Sequence, residues 1–209
     1  MPLTTIDPTP ALVVIDLQKG IVSALADTAR QAATATVDRA AHLATEFRRH
    51  GLPVVLVNVT GRAPGRTDAG RPASSRDTGQ AAGSPVTGRA VNSHAPFAGW
   101  AELVDELDVR PTDHLVTKRR RSAFHDTGLD TLLRDLGATQ IVLAGISTGS
   151  GVESTARSAA DHGYHVVLAT DAMTDPDPAA HRHSVERVFP RLGETTTTAE
   201  VVAMLEATR

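Results

Sequence analysis

The sequence predicts an α/β fold: a three-layer sandwich, Rossmann-like, with a central parallel sheet of five or six strands and helices on both faces. Two observations predict it. Short runs rich in Val, Ile and Leu alternate along the chain with longer Ala-rich stretches, the pattern of β-α-β units. The apolar runs are also continuous rather than interleaved with polar residues, as befits strands buried on both faces. At 209 residues the chain can bury a sizeable core, and it reads as a single domain over 1–209.

The elements follow in order. Residues 11–16 (ALVVID) make the first strand, which ends on a carboxylate. Residues 28–50 are Ala-rich and free of Pro, a helix stopped by Gly51. Residues 53–59 (PVVLVNV) make the second strand. From about 60 to 96, Gly, Pro, Ser, Arg and Thr replace the large apolar residues. This is a long loop excursion, either a functional lid or interface arm or a plain surface loop. Residues 98–108 suit a short amphipathic helix, 113–117 a third strand, and 127–136 a helix closed by Gly137. Residues 141–146 make the fourth strand, 151–162 a helix closed by Gly163, and 165–170 the fifth strand. A helix is expected over 178–189, an edge strand over 194–198, and a helix after it.

Composition excludes several functions. A net charge of −3 offers no basic field to hold nucleic acid or an anionic membrane. No run approaches the ~20 apolar residues of a membrane span. There is no basic segment followed by an apolar one, so a cytoplasmic protein is expected. The chain has no cysteine, which excludes a disulfide scaffold, a thiolate zinc site and a cysteine nucleophile.

In parallel sheets ligands bind beyond the carboxyl ends of the strands. Three of those ends carry groups capable of chemistry. Asp16 ends the first strand, Lys118 follows the third, and the fourth runs into ISTGSGV (146–152), which opens a helix. A helix N-terminus offers free N–H groups to an anion or a developing oxyanion. Each piece also has a plainer reading. Asp16 also reads as a turn or cap residue, the arginines 119–121 as a solvated run, and Ser150 as an N-cap. Ser147, Thr148 and Ser150 are nucleophiles only in type, because no G-x-S-x-G surrounds them.

Three segments resemble the isochorismatase-like hydrolases, a superfamily that includes nicotinamidases, N-carbamoyl amidases and true isochorismatases. They are ALVVIDLQ (11–18), VTKRRRSAF (116–124) and LAGISTGSGVESTAR (143–157), the last followed by HGY (162–164) and TDA (170–172). The resemblance covers most of the chain outside 60–96. Most members place a cysteine where this chain has Gly151, so the thiolate route to an acyl-enzyme is closed. Nicotinamidases carry an Asp-His-His metal cluster after the second strand. Here no His falls between 58 and 66 and His94 stands alone, so no metal and no cofactor are expected. True isochorismatases also carry glycine at the nucleophile position, and their lysine segment reads K-x-R-x-S-A-F, matched by KRRRSAF (118–124). A group of cysteine-less members with NV…APGRT and GVESTAR segments is also similar.

What the resemblance implies is an isochorismatase-like hydrolase that works without a covalent cysteine. The expected reaction is acid-assisted hydrolysis of a small carboxylated substrate, such as the vinyl ether of isochorismate, releasing pyruvate. Asp16 is the expected general acid, and Lys118 its partner or a binder of substrate carboxylate. Gly151 leaves room for substrate and for close approach of the helix N–H groups, or else marks an inactive enzyme. Ser147 follows a cis peptide usual in the family and would present its N–H to an anion. Arg120 would hold a substrate carboxylate in a bidentate fork, or pair elsewhere on the surface. Gln18 orients at the crevice rim or caps the first turn. Asn58 donates to substrate or satisfies loop backbone. Phe124, with Trp100, walls the site or belongs to the core, and Asp171 braces a turn. The alternative function is a catalytically inactive small-acid-binding or assembly protein on the same scaffold. Family members commonly form dimers or higher oligomers, which implies a homo-oligomer with the 60–96 excursion as its arm.

Overall fold

Six parallel strands carry the fold in the computed structural model, which describes residues 2–61 and 98–208. The excursion at about 60–96, with His94, lies outside the described residues except for Thr60 and Gly61. In chain order the elements are β1 (Pro10–Ile15), α1 (Lys19–Val22), α2 (Asp27–Arg49), β2 (Val54–Val59), β3 (His114–Lys118), α3 (Leu129–Asp135) and β4 (Gln140–Ile146). They continue with α4 (Glu153–Asp161), β5 (His165–Thr174), α5 (Pro178–His183), β6 (Glu194–Thr196) and α6 (Thr198–Thr208). Among the described residues no helix is long and apolar enough to cross a membrane.

The strand order is β3-β2-β1-β4-β5-β6. The chain builds outward from β1 to one edge, then returns to the other side of β1 and builds to the opposite edge. The boundary between β1 and β4 is therefore the switch point, the place beyond the strand ends where sheets of this kind bind ligands. β1 and β4 are buried along their whole length, which is why their apolar runs are uninterrupted. Leu12 and Val14 pack with Leu43 and Phe47 of α2 and Leu205 of α6 on one face. Ala11, Val13 and Ile15 pack with Leu129 and Leu133 of α3 and Ala156 of α4 on the other. These two cores make the three layers. Ile15 sits opposite Gly145 in the ladder. Gly145 has φ +124, and a Cβ there would overlap the Ile15 carbonyl oxygen, so only glycine lets the two central strands lie together at their carboxyl ends.

Four expectations need correction. Residues 98–108 are not a helix but turns with a short 3₁₀ segment at Asp105–Leu107. Their backbone is committed elsewhere: Lys19 N–H donates to the Glu102 carbonyl at 2.8 Å, Gly20 N–H to Trp100 at 3.0 Å, and Val104 N–H to Leu17 at 3.1 Å. The fifth strand does not stop at 170 but resumes after a bulge and runs to Thr174, with Leu168 opposite Leu143 and Met173 opposite Gly145. Asp171 lies in that bulge and accepts from Thr198 N–H at 2.8 Å and Oγ1 at 3.0 Å, so it braces the start of α6. The helix over 178–189 is only six residues of α-helix, continued by a wide turn at Ser184–Val188 and a 3₁₀ turn at Phe189–Arg191 that contains Pro190. Finally, α4 begins at Glu153 rather than 151, preceded by a wide turn at Thr148–Val152.

Candidate active site

Asp16 follows β1 with φ +54, a left-handed conformation that Asp tolerates better than most residues. Lys118 ends β3, two strands away across β2, and its long side chain returns to Asp16. Nζ donates to Asp16 Oδ2 at 2.6 Å and to the Arg120 carbonyl at 3.2 Å. Both side chains are buried, at 7% and 3% exposure. Asp16 Oδ1 has no hydrogen-bond partner among the described residues. Burial raises the Asp16 carboxyl to about 6, because Lys118 pulls it down by charge and hydrogen bond without cancelling the desolvation. The pair thus holds a carboxyl raised toward neutrality with one oxygen unpartnered among the described residues.

Gly151 completes the group. It is buried in the wide turn, and a Cβ there would stand 3.1 Å from Asp16 Oδ2 and 3.1 Å from Ile15 Cγ2. The nucleophile position therefore faces the Asp16 carboxylate directly, and any side chain would press on it. The Ile146–Ser147 peptide is cis, as the resemblance implies. Ser147 starts the turn, and its carbonyl accepts from Ser150 N–H at 3.1 Å and Val152 N–H at 3.2 Å. Thr155 Oγ1 donates to the Gly151 carbonyl at 2.7 Å and accepts from Ala123 N–H at 3.0 Å, which docks the segment after Lys118 onto α4.

The structure brings Asp16, Lys118 and Gly151 together, with Ser147 at the start of the Gly151 turn, and treats the other candidates differently. Gln18 is fully buried, with Nε2 donating to the Val59 and Trp100 carbonyls at 3.2 and 3.1 Å and Oε1 accepting from Val59 N–H at 2.8 Å. Its amide ties β1, β2 and the 100–104 segment together, and both of its N–H donors are spent on backbone carbonyls. Asn58 donates to the Ala101 carbonyl at 2.8 Å and accepts from Thr117 Oγ1 at 2.8 Å, the loop-satisfying alternative. Arg120 is exposed, and its guanidinium has no ion pair or hydrogen bond among the described residues. Phe124 stacks on His162 at 4.9 Å between ring centroids. His162 caps the end of α4 opposite the Gly151 turn, and Phe124 packs against the hydrophobic core, the second of its two readings. Ser150 is not an N-cap; α4 starts from Val152 with no side-chain cap. A separate cleft beside the end of β2 is lined by Asn58, Thr60, Gly61, Gly99, Trp100, Ala101 and Glu102. Among the described residues no group of three or more His, Asp or Glu is arranged to hold a metal ion.

Sequence reasoning missed Asp175 and His181, which meet the Gly151 turn from the far side. Thr148 Oγ1 lies 2.9 Å from His181 Nδ1, and Gly149 N–H donates to Asp175 Oδ2 at 2.9 Å. One signal pointed there. In DPDP (175–178) Asp177 caps α5 by accepting from Ala179 N–H at 2.8 Å with Pro178 at the first turn, which sets His181 one turn into the helix.

The isochorismatase domain model matches residues 10–200. The uncharacterized isochorismatase family protein YwoC of Bacillus subtilis is 38% identical over 196 residues, 94% of each chain. Streptothricin hydrolase of Streptomyces noursei is 34% identical over 171 residues, 81% of this chain and 51% of that one. Among solved structures, an isochorismatase family protein from Burkholderia thailandensis superposes with a TM-score of 0.77 at 36% identity, covering 97% of this chain and 98% of the other.

Proposed function

The chain belongs to the isochorismatase family, and we propose that it is a hydrolase acting without a covalent nucleophile, by acid-assisted cleavage of a small carboxylated substrate such as the vinyl ether of isochorismate. One observation carries the reading: a buried Asp16 carboxyl raised to about 6, with Oδ1 unpartnered among the described residues and Gly151 beside it. A thiolate mechanism is closed to a chain with no cysteine. An acid mechanism needs only a carboxyl that holds its proton near neutral pH.

Asp16 gives its proton to the terminal vinyl carbon, where a C–H bond forms at the expense of the double bond. The oxocarbenium ion so formed is captured by water at the ether carbon. One proton of that water returns to Asp16, leaving a hemiketal, whose C–O bond to the ring then breaks as its hydroxyl proton passes to the departing ring oxygen, releasing pyruvate and the ring alcohol. Lys118 stabilises the carboxylate between those two transfers. The Ser147 and Gly151 N–H groups are the proposed binders of a substrate carboxylate, with Arg120 as an outer partner. The proposed assembly is a homo-oligomer, on the strength of the family resemblance.

The test is pyruvate release from isochorismate by the purified protein, with Asp16→Ala as the paired control. Release that disappears in the variant supports the reading. No release from wild-type protein removes this substrate. Tight binding of small carboxylates without turnover then favours the second reading, a non-catalytic small-acid binder, which Gly151 with its lack of a reactive side chain also favours.

A further inference from the structure

We propose that His181, backed by Asp175, is a positioning residue for the turn that carries Gly151: as a neutral imidazole it accepts the Thr148 hydroxyl proton and so seats the turn against Asp16. The inference rests on the reading that this turn faces the substrate.

Three contacts fix the turn from the side opposite Asp16. Thr148 is 0% exposed, so its hydroxyl proton cannot go to water, and His181 Nδ1 is 2.9 Å away. Next along the chain, Gly149 N–H donates to Asp175 Oδ2 at 2.9 Å, while Asp175 Oδ1 accepts from Asp177 N–H at 3.0 Å. One turn later, Ser184 Oγ donates to Glu153 Oε2 at 2.7 Å, where α4 begins. A Cβ at Gly149 would stand 3.3 Å from Ala180 Cβ and 3.5 Å from Asp175 Oδ2, so α5 packs directly on the turn. Between these anchors and Asp16 the turn has room for no more than a glycine without displacement: a Cβ at Gly151 would stand 3.1 Å from Asp16 Oδ2. None of the three anchors touches the reacting carboxyl. Their effect on it passes through the backbone of 148–151.

The polarity of the Thr148–His181 bond depends on protonation. A neutral ring with its proton on Nε2 accepts at Nδ1, whereas an imidazolium donates from both nitrogens. Protonation would force Thr148 Oγ1 to accept and leave its own proton without a partner. Burial and Arg182 on the same helix hold His181 below the usual histidine range, against the pull of Asp175 from the loop after β5. Glu153 on α4 faces Ser184 and Arg157 instead. The net effect disfavours the imidazolium, in keeping with the neutral ring that the proposed contact uses.

The experiment follows the backbone amide resonances of Gly149 and Gly151 in the isotope-labelled full chain as pH falls, in wild type, His181→Gln and Thr148→Val. No substrate is present, so a failure to release pyruvate in the separate assay leaves the result standing. The expected outcome is an inflection at both glycines that coincides with titration of the His181 ring, below the ordinary histidine value. It is lost in His181→Gln. In Thr148→Val the ring still titrates but Gly151 no longer follows it. An inflection that persists in His181→Gln, or that survives in Thr148→Val as a through-space charge effect would, overturns the proposal. So does the absence of any such inflection in wild type.

Discussion

Asp16 carries two opposed forces, and their balance sets both chemistry and stability. Its ordinary carboxyl value of 3.8 is raised to about 6 in the folded protein by burial, against the pull of Lys118. The folded state thus binds the proton more tightly than the unfolded chain does. The resulting stabilisation is fully present below 3.8 and is lost as pH rises through about 6. The difference corresponds to roughly 3 kcal/mol at 1.36 kcal/mol per pKa unit. Denaturant unfolding of wild type and Asp16→Asn at acid and neutral pH should therefore show the variant gaining on wild type by about that much as pH rises. A difference that does not change with pH contradicts burial as the cause. At the neighbouring position, a Cβ on residue 151 must displace Asp16 Oδ2 and Ile15 Cγ2 by a few tenths of an ångström. Gly151→Ala should keep the fold, lower the melting temperature by about 2–4 °C for a loss of about 1 kcal/mol, and reduce pyruvate release at least about tenfold. Unchanged turnover would show that the space beside Asp16 is not used. The convergence of Asp16 and Lys118 was legible in the sequence because parallel strands bring their carboxyl ends to one edge. The sign of the Asp16 shift was not, since it depends on a 2.6 Å contact competing with burial.

At the scale of elements, the entry to β3 is pinned to the end of α2. Arg48 Nε and Nη2 donate to Asp113 Oδ1 and Oδ2 at 2.9 and 2.7 Å, and Nη2 also donates to the Leu107 carbonyl at 3.0 Å. The Asp113 side chain is 1% exposed, so Asp113→Ala would strand a guanidinium. It should cost about 3 kcal/mol in denaturant unfolding, and a loss well under about 1 kcal/mol would show that the fork is ornamental. The strands were readable because the runs 11–15, 54–57 and 141–146 within β1, β2 and β4 are apolar without interruption. Residues 98–108 misled because Leu103, Val104 and Leu107 have helical spacing, yet their backbone pairs with residues 17–20 far away in sequence. Helical periodicity reports which side chains are buried and says nothing of such non-local bonds. His181 and Asp175 were hidden for a related reason: the bulge in β5 moves its carboxyl end from 170 to 174, carrying the next helix over the Gly151 turn.

For the whole molecule, the strand order explains why a carboxylate from β1, an ammonium from β3 and a turn after β4 come together. β1 lies between β2 and β4 at the switch point, β3 is one strand further out, and lysine is long enough to span the gap. The proposed homo-oligomer predicts a species larger than a monomer in sedimentation velocity at micromolar concentration; a monomer there contradicts it. The most direct test of the central claim is the pH dependence of pyruvate release from isochorismate by the wild-type protein and Asp16→Asn. With the acid at about 6, turnover should fall about tenfold per pH unit above that value and be absent in Asp16→Asn throughout. A rate that stays flat from about pH 6 to about pH 8, or a full rate in Asp16→Asn, would contradict the account.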